Sequence, residues 1–348
     1  MKSITHSNSQ DGVVPWGATA LGCTRRSWLK SMMATTGLSA TWVSSHGQGA
    51  WPQAPVKIIV PFTAGGAADL LTRKLTEKLQ TRLGHSWTVE NRTGAGGNIG
   101  MEAVKNANAD AYTIGSATVG TLSINQFLFA KLPYDPVADY AYVSKIWENC
   151  NVFVVPPNHP ARTVQEFIAW ARSRPQGVNY GSAGVGTTPH LAGALFGHRT
   201  GIQATHIPFR GAAQSMPALM SGQTDFAIDN IASYMPLMVA GKVRVLAITG
   251  ADRWPTLPEV PVMAEAGVSD FVITSWGALI LPKAAPQYVI DLLSKHIRQI
   301  ASEPSAKEQW MQTGALLIPT SPAETEAFAS RERAKWKEVV RISGAKLD

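Results

Sequence analysis

Cysteine is almost missing from this chain of 348 residues. Only Cys23 and Cys150 occur, and Cys23 falls in an N-terminal segment that reads as a removable leader. With one cysteine left, an internal disulfide is impossible and zinc held by paired cysteines is excluded. Beyond residue 50 no apolar run comes near the roughly twenty residues a helix needs to cross a bilayer. Charge is sparse as well: charged residues make up 16% of the chain, and the formal net charge is +7. In the first fifty residues Lys2, Arg25, Arg26 and Lys30 face Asp11 alone, so the remainder holds 27 basic against 23 acidic residues, or +4. No basic stripe interleaved with aromatics is present. The balance suits a small anion and not a nucleic acid.

The common enzyme signatures are missing too. There is no GxxxxGK[ST] phosphate loop and no His-Glu-x-x-His zinc motif. Gly181-Ser182-Ala183-Gly184 is not the G-x-S-x-G nucleophile elbow. Gly94, Gly96 and Gly100 are spaced G-x-G-x-x-x-G, with Ile99 where a dinucleotide fingerprint needs its third glycine. No enzyme activity, cofactor or metal is expected.

What is present is a pair of glycine-rich turns about thirty residues apart, PFTAGGAAD (Pro61 to Asp69) and ENRTGAGGNIG (Glu90 to Gly100). Each follows an apolar strand-like run and opens a helix-like one. A turn without side chains lets an anion approach the backbone, and the helix behind it directs free N–H groups at that spot. Both turns read as anion cradles. The chain is longer than one hydrophobic core organises, so two α/β domains are expected.

The first fifty residues read as an export address. Thr24-Arg25-Arg26-Ser27-Trp28-Leu29-Lys30 resembles the twin-arginine consensus; a weakly apolar stretch from Ser31 to Val43 follows, with small residues at Gly47, Gly49 and Ala50 near a cleavage point. The expectation is a signal peptide over residues 1–50 and a monomeric periplasmic protein. Beyond it, strands are expected at Val56 to Phe62, Trp87 to Glu90 and Thr113 to Ala117, with helices from Asp69 to Leu83 and Gly97 to Ala107. Leu71, Leu75, Leu79 and Leu83 stand at i+4 steps on the first helix. Two strands, Tyr142 to Ile146 and Val152 to Val155, flank Asn149-Cys150-Asn151, a crossover into a second lobe. There Thr163 and Glu166 form a capping-box pattern, and a third small-residue turn, Gly184 to His190, opens another helix. Further strands are expected at Asn179 to Ser182, Thr205 to Phe209, Phe226 to Ile228, Val243 to Thr249 and Ile273 to Leu281. Helices from Pro286, Ser305 and Pro322 are expected to pack back on the first lobe.

Trp51-Pro52, GGAAD, VENRTGAGGNIG, LPYDPVADY, NYGSAGVGTTPHL, HIPFRGAA, SGQTDFAID, GKVRVLAIT, LPEVPVMAEAG, TSWGALILP and the final SGAKLD stand in order from Trp51 to Asp348. Together they resemble the Bug family, the TctC-like extracytoplasmic solute receptors of tripartite tricarboxylate transporters. The resemblance implies a type II periplasmic-binding-protein fold, two α/β lobes that close about a hinge on a small carboxylate. It implies lobe 1 at residues 51–150 and 275–348 and lobe 2 at 151–274, with two membrane subunits as partners. A ligand-presenting sensor subunit for a signalling partner uses the same fold and stays open as a second reading.

Carried over on the matching motifs, the first-lobe half-site is Thr63, Ala64, Gly65, Gly66, Ala67 and Asp69. The second-lobe half-site is Ser182, Ala183, Gly184, Val185, Gly186, Thr187, Thr188 and His190, where three hydroxyls can donate to carboxylate oxygens. Asn98, Thr118, Thr121, Arg210, Asp229 and Trp276 follow as further candidates. Ala64 and Ala68 depart from the family's proline and hydroxyl, and Ala109-Asp110-Ala111-Tyr112 from its Pro-Asp-Gly-Tyr. Asp69 reads equally as a helix cap, Arg210 as a solvated surface arginine, His190 as a structural donor and Trp276 as core.

Overall fold

The computed structural model describes residues 51–345. The leader expected over residues 1–50 and the last three residues of SGAKLD lie outside them. The first strands and helices alternate: β1 (Val56–Val60), α1 (Ala67–Leu83), β2 (Trp87–Asn91), α2 (Asn98–Lys105) and β3 (Thr113–Thr118). A wide π-helical turn at Gly120–Ile124 leads into α3 (Asn125–Leu128) and the long strand β4 (Tyr140–Val155). Then come α4 (Val164–Arg172), β5 (Val178–Ser182), α5 (Thr188–Thr200), β6 (Ala204–Pro208), α6 (Ala212–Met220), β7 (Ala227–Asn230), α7 (Ile231–Val239) and β8 (Arg244–Ile248). Strand β9 (Thr274–Pro282) precedes α8 (Gln287–Ser302), α9 (Pro304–Gln312) and α10 (Pro322–Ser343).

Val56, Ile58, Ile59 and Val60 are all buried, as a parallel strand covered on both faces requires. β1 pairs in parallel with β2 and β3, and β9 enters antiparallel between β3 and β4. Leu71, Leu75 and Leu79 are fully buried, so the leucine stripe of α1 seats it on the sheet. Thr163 caps α4 by accepting from Glu166 N, while the Glu166 carboxylate accepts from Arg162 N rather than from the cap itself.

The expected break at Asn149-Cys150-Asn151 is not a break. β4 runs through it as one strand of 16 residues and changes partners there. Its first part pairs with β9 from Tyr140↔Pro282 to Cys150↔Thr274. From Asn151↔Asn230 onward it pairs with β7, and from Val152↔Ile248 with β8. Of the two polar residues that suggested a loop, Asn151 is satisfied inside the strand, its N donating to Thr249 Oγ1 at 2.9 Å and its side-chain amide to Ile228 O at 3.2 Å, whereas the Asn149 side chain is buried without a partner. Two groups of strands thus share one strand, which makes the molecule two-lobed. Ala111, where the resembling family has glycine, is buried at a left-handed φ of 65°.

The last helix also departs from expectation. α8 packs on α1 and β4, but α10 lies against the Gly120–Ile124 turn, β4 and α5, so it touches both strand groups. Glu332 on its inner face ties it to β9: its Oε2 accepts from Trp276 Nε1 at 3.0 Å and from Trp336 Nε1, of the same helix, at 2.9 Å. Both indoles are fully buried, so neither N–H has water as a substitute. Glu332→Ala is expected to leave two buried donors unpaired, at about 1–3 kcal/mol each, and to lower the melting temperature by several degrees. Glu332→Gln keeps an acceptor and is expected to recover most of the loss. Equal melting temperatures for wild type and Glu332→Ala in a thermal unfolding scan would remove this anchor from the account.

Candidate functional site

The first glycine turn is held by its own helix. Gly65 adopts φ +82°, a conformation that favours glycine, and its N–H donates to Asp69 Oδ2 at 3.0 Å. Arg73 Nε and Asn91 Nδ2 also donate to the Asp69 carboxylate, at 3.0 and 2.9 Å. Burial alone would raise this carboxyl, but the bonds from Arg73, Gly65 and Asn91 hold it below the usual range. Asp69 therefore ties the turn together. It does not line the cleft described below, and neither do Ala64 and Gly65.

The second-lobe turn is organised by its hydroxyls. Ser182 Oγ donates to Gly184 O and accepts from Gly184 N, both at 3.1 Å, and lies 2.6 Å from His206 Nε2. Thr187 Oγ1 donates to Gly184 O at 2.6 Å. Two of the three hydroxyls expected to face a carboxylate are thus engaged inside the turn, because Gly184 and Gly186, at φ +131° and +82°, fold the backbone onto them. His190 Nδ1 accepts from Gly186 N at 3.3 Å, and the His190 and His206 rings stack 4.1 Å apart. Asn98 and Thr121 are likewise framework: Asn98 Oδ1 accepts from Asn125 Nδ2, and Thr121 Oγ1 closes the turn on Thr118. Trp276 is buried against Glu332 and does not reach the cleft.

Between the two strand groups lies a cleft lined by Thr63, Gly66, Ala67, Thr118, Ala183, Thr187, Thr188 and Asp229 among others. The N-termini of α1, α5, α6 and α7 all open onto it, through Gly66–Ala68, Thr187–Pro189, Ala212, and the pair Asn230 and Ser233. None of these four helices is capped by its own N-cap side chain. The first-turn N–H groups are therefore left without side-chain caps, but Ala67 N donates across the cleft to Ser233 Oγ at 2.9 Å, Gln214 N donates to Gly211 O at 3.0 Å, and Pro189 has no N–H. Gly184, Val185 and Arg210 instead line a second compartment, which adjoins the first at Phe62 and Ala183 and includes Gly94 to Gly97. Arg210 is exposed at its edge. Gly186 lines neither; it sits so close to Asn125 that a Cβ would strike its Oδ1.

No lysine, arginine or histidine borders the inner cleft, and Asp229 is its one ionisable side chain among the described residues. Asp229 is wholly buried; its Oδ1 accepts from Asn230 N at 2.6 Å, and its Oδ2 has no partner. Burial pushes this carboxyl up to about 6. Among the described residues no group of three or more His, Cys, Asp or Glu is placed to hold a metal. Gly120, Ala212, Asn230, Ser233 and Ser275 also line the cleft, though they are not among the candidates expected from the sequence. Arg210-Gly211-Ala212-Ala213 carries the same small-residue strand-to-helix signal as the turns that were found, whereas nothing local marks Ser233 or Ser275.

Burial lowers His190 to about 4 and His206 to about 3, so both rings are neutral in the folded protein. The unfolded chain takes up these protons below pH 6.5, hence the stability they contribute is complete above that value and is lost as pH falls toward 4. Melting temperature is expected to drop steadily from pH 6.5 to 4.5. The drop is expected to be shallower in His190→Asn, which keeps an acceptor for Gly186 N. A wild-type melting temperature that is flat across this range would refute the assignment.

Residues 71–344 match the model of the tripartite tricarboxylate transporter family receptor. Protein BugT of Bordetella pertussis (strain Tohama I) is 34% identical over 316 residues, which is 90% of this chain and 96% of BugT. R. palustris Rpa4515 with adipate superposes with a TM-score of 0.84 at 33% identity, over 85% of this chain and 100% of that one. MatC (Rpa3494) from Rhodopseudomonas palustris with bound malate gives a TM-score of 0.79 at 27% identity, over 83% of this chain and 100% of that one. The chain belongs to the tripartite tricarboxylate transporter receptor family, the Bug or TctC-like solute-binding receptors, and is a receptor rather than an enzyme.

Proposed function

We propose that this receptor acts in the periplasm, closes its two lobes on a small organic carboxylate and delivers it to the large and small membrane subunits of a tripartite tricarboxylate transporter. The observation that carries the reading is the convergence of four uncapped helix N-termini on one cleft without a cation, an arrangement that holds an anion by backbone N–H groups and helix dipoles. The adipate and malate in Rpa4515 and MatC support a dicarboxylate of similar size. Thr63, Gly66, Ala67, Thr118, Thr188 and Asp229 would then surround one carboxylate. Gly184, Val185 and Arg210 would meet the distal end, with Arg210 as its bidentate partner. The lobes would divide at 150/151 and 274/275, where β4 changes partners and β9 begins. Closure would present a composite surface to the membrane subunits.

A thermal-shift and calorimetric screen of carboxylates on the purified protein tests the ligand class. A ligand at 100 times its dissociation constant stabilises by about 2.7 kcal/mol. No shift with any mono- or dicarboxylate would defeat the proposal.

Closure itself is tested at Gly211. Its backbone is extended, at φ 166°, so alanine brings no backbone strain, yet an added Cβ would strike Thr63 across the cleft. Gly211→Ala is expected to weaken binding at least tenfold while moving the melting temperature of the unliganded protein little. A parallel loss of stability and affinity would make Gly211 a folding residue instead.

A further inference from the structure

Four helix N-termini favour an anion in the inner cleft, but the one ionisable wall residue, Asp229, is itself an acid. Asp229 stands near the end of β7, wholly buried, with Oδ1 taken by Asn230 and Oδ2 without a partner. β7 is packed by β4, β5, α5 and α7. The titratable groups on those faces are Cys150 of β4, Tyr180 of β5, His190 of α5 and Tyr234 of α7. Each is neutral near pH 7: burial pushes the Cys150 thiol up to about 12, raises both phenols and lowers His190 to about 4. None supplies a positive charge, and no cation borders the cleft.

We propose that Asp229 is the proton-holding residue of the cleft, and that a carboxylate ligand is captured together with one proton on Asp229 Oδ2, which donates to a ligand oxygen. The inference rests on the carboxylate reading above. Its physical basis is that two carboxylates cannot both stay ionised side by side in a site without a cation, so the second charge drives the first to take a proton. The balance is simple: ionised Asp229, one proton from solvent and the anionic ligand give neutral Asp229 hydrogen-bonded to the ligand. The vacant acceptor at Oδ2 becomes a donor, and no other bond changes. Free Asp229 titrates near 6 and is largely ionised above pH 7, so binding there must recruit the proton. Affinity therefore weakens about tenfold per pH unit above that value and levels off below it.

The test is calorimetry of the purified receptor with adipate, and with malate as a second probe, from pH 7 to 8.5. Both are then fully ionised and His190 and His206 remain neutral. Phosphate and Tris buffers differ in ionisation enthalpy, so the difference in heat counts the protons taken up. Expected is an uptake approaching one proton per ligand, with affinity falling about tenfold from pH 7.5 to 8.5. Asp229→Asn is expected to bind with no uptake and little pH dependence, and more tightly than wild type at pH 8.5. If the variant does not fold, the wild-type proton count still decides. Wild-type binding without uptake overturns the inference and leaves the carboxylate reading intact. No binding of either acid, nor of any other carboxylate in the screen above, at any pH removes the anion and overturns both.

Discussion

The molecule depends on one strand being shared. β4 pairs with β9 at nine positions, with register shifts at Val143 and Ile146, before it passes to β7 and β8, so both strand groups hang from one strand. That strand places the ends of β3 and β7 and the turns before α1 and α5 on the two sides of one cleft. Side chains keep the strand unbroken where the sequence turns polar, since Asn151 bonds to Thr249 and Ile228 within the sheet. The α10 helix adds a second tie, reaching from the Gly120–Ile124 turn to α5 around Glu332.

Given that scaffold, glycine sets how near the two sides come. A Cβ at Gly96 would collide with Val185 O, one at Gly120 would lie 2.9 Å from Gly186 O, and one at Gly211 would strike Thr63. These contacts are backbone against backbone or against a short side chain, so they leave no slack for even a methyl group. The small residues of the turns thus serve approach between lobes as much as approach of an anion to the backbone.

The electrostatics of the cleft follow from helices, not from basic side chains. Uncapped helix starts supply partial positive charge without the desolvation that a buried lysine or arginine would suffer. The only formal charge in the wall is negative and buried, which turns Asp229 from a bystander into the group that decides how an anion is accommodated. Arg210 stays at the exposed rim of the neighbouring compartment, where a guanidinium keeps its hydration.

Much of the fold was legible in the chain because it was written locally. The leucine stripe of α1, the apolar run of β1, the Thr163 cap and the helix from Pro322 declare themselves within a few residues, and the structure finds them at nearly the expected places. The ordered motifs were enough to indicate the receptor family. Partner choice was not legible: whether β4 breaks at Cys150, which lobe α10 covers, and whether the hydroxyls of Ser182 and Thr187 face a ligand or their own turn all depend on residues distant in sequence. Asp229 shows the difference most plainly. Its place after a strand could be read from the chain, but its vacant oxygen and the absence of any neighbouring cation exist only once β4, β5, α5 and α7 have closed around it, because burial and Coulomb interaction depend on distance in space and not along the chain.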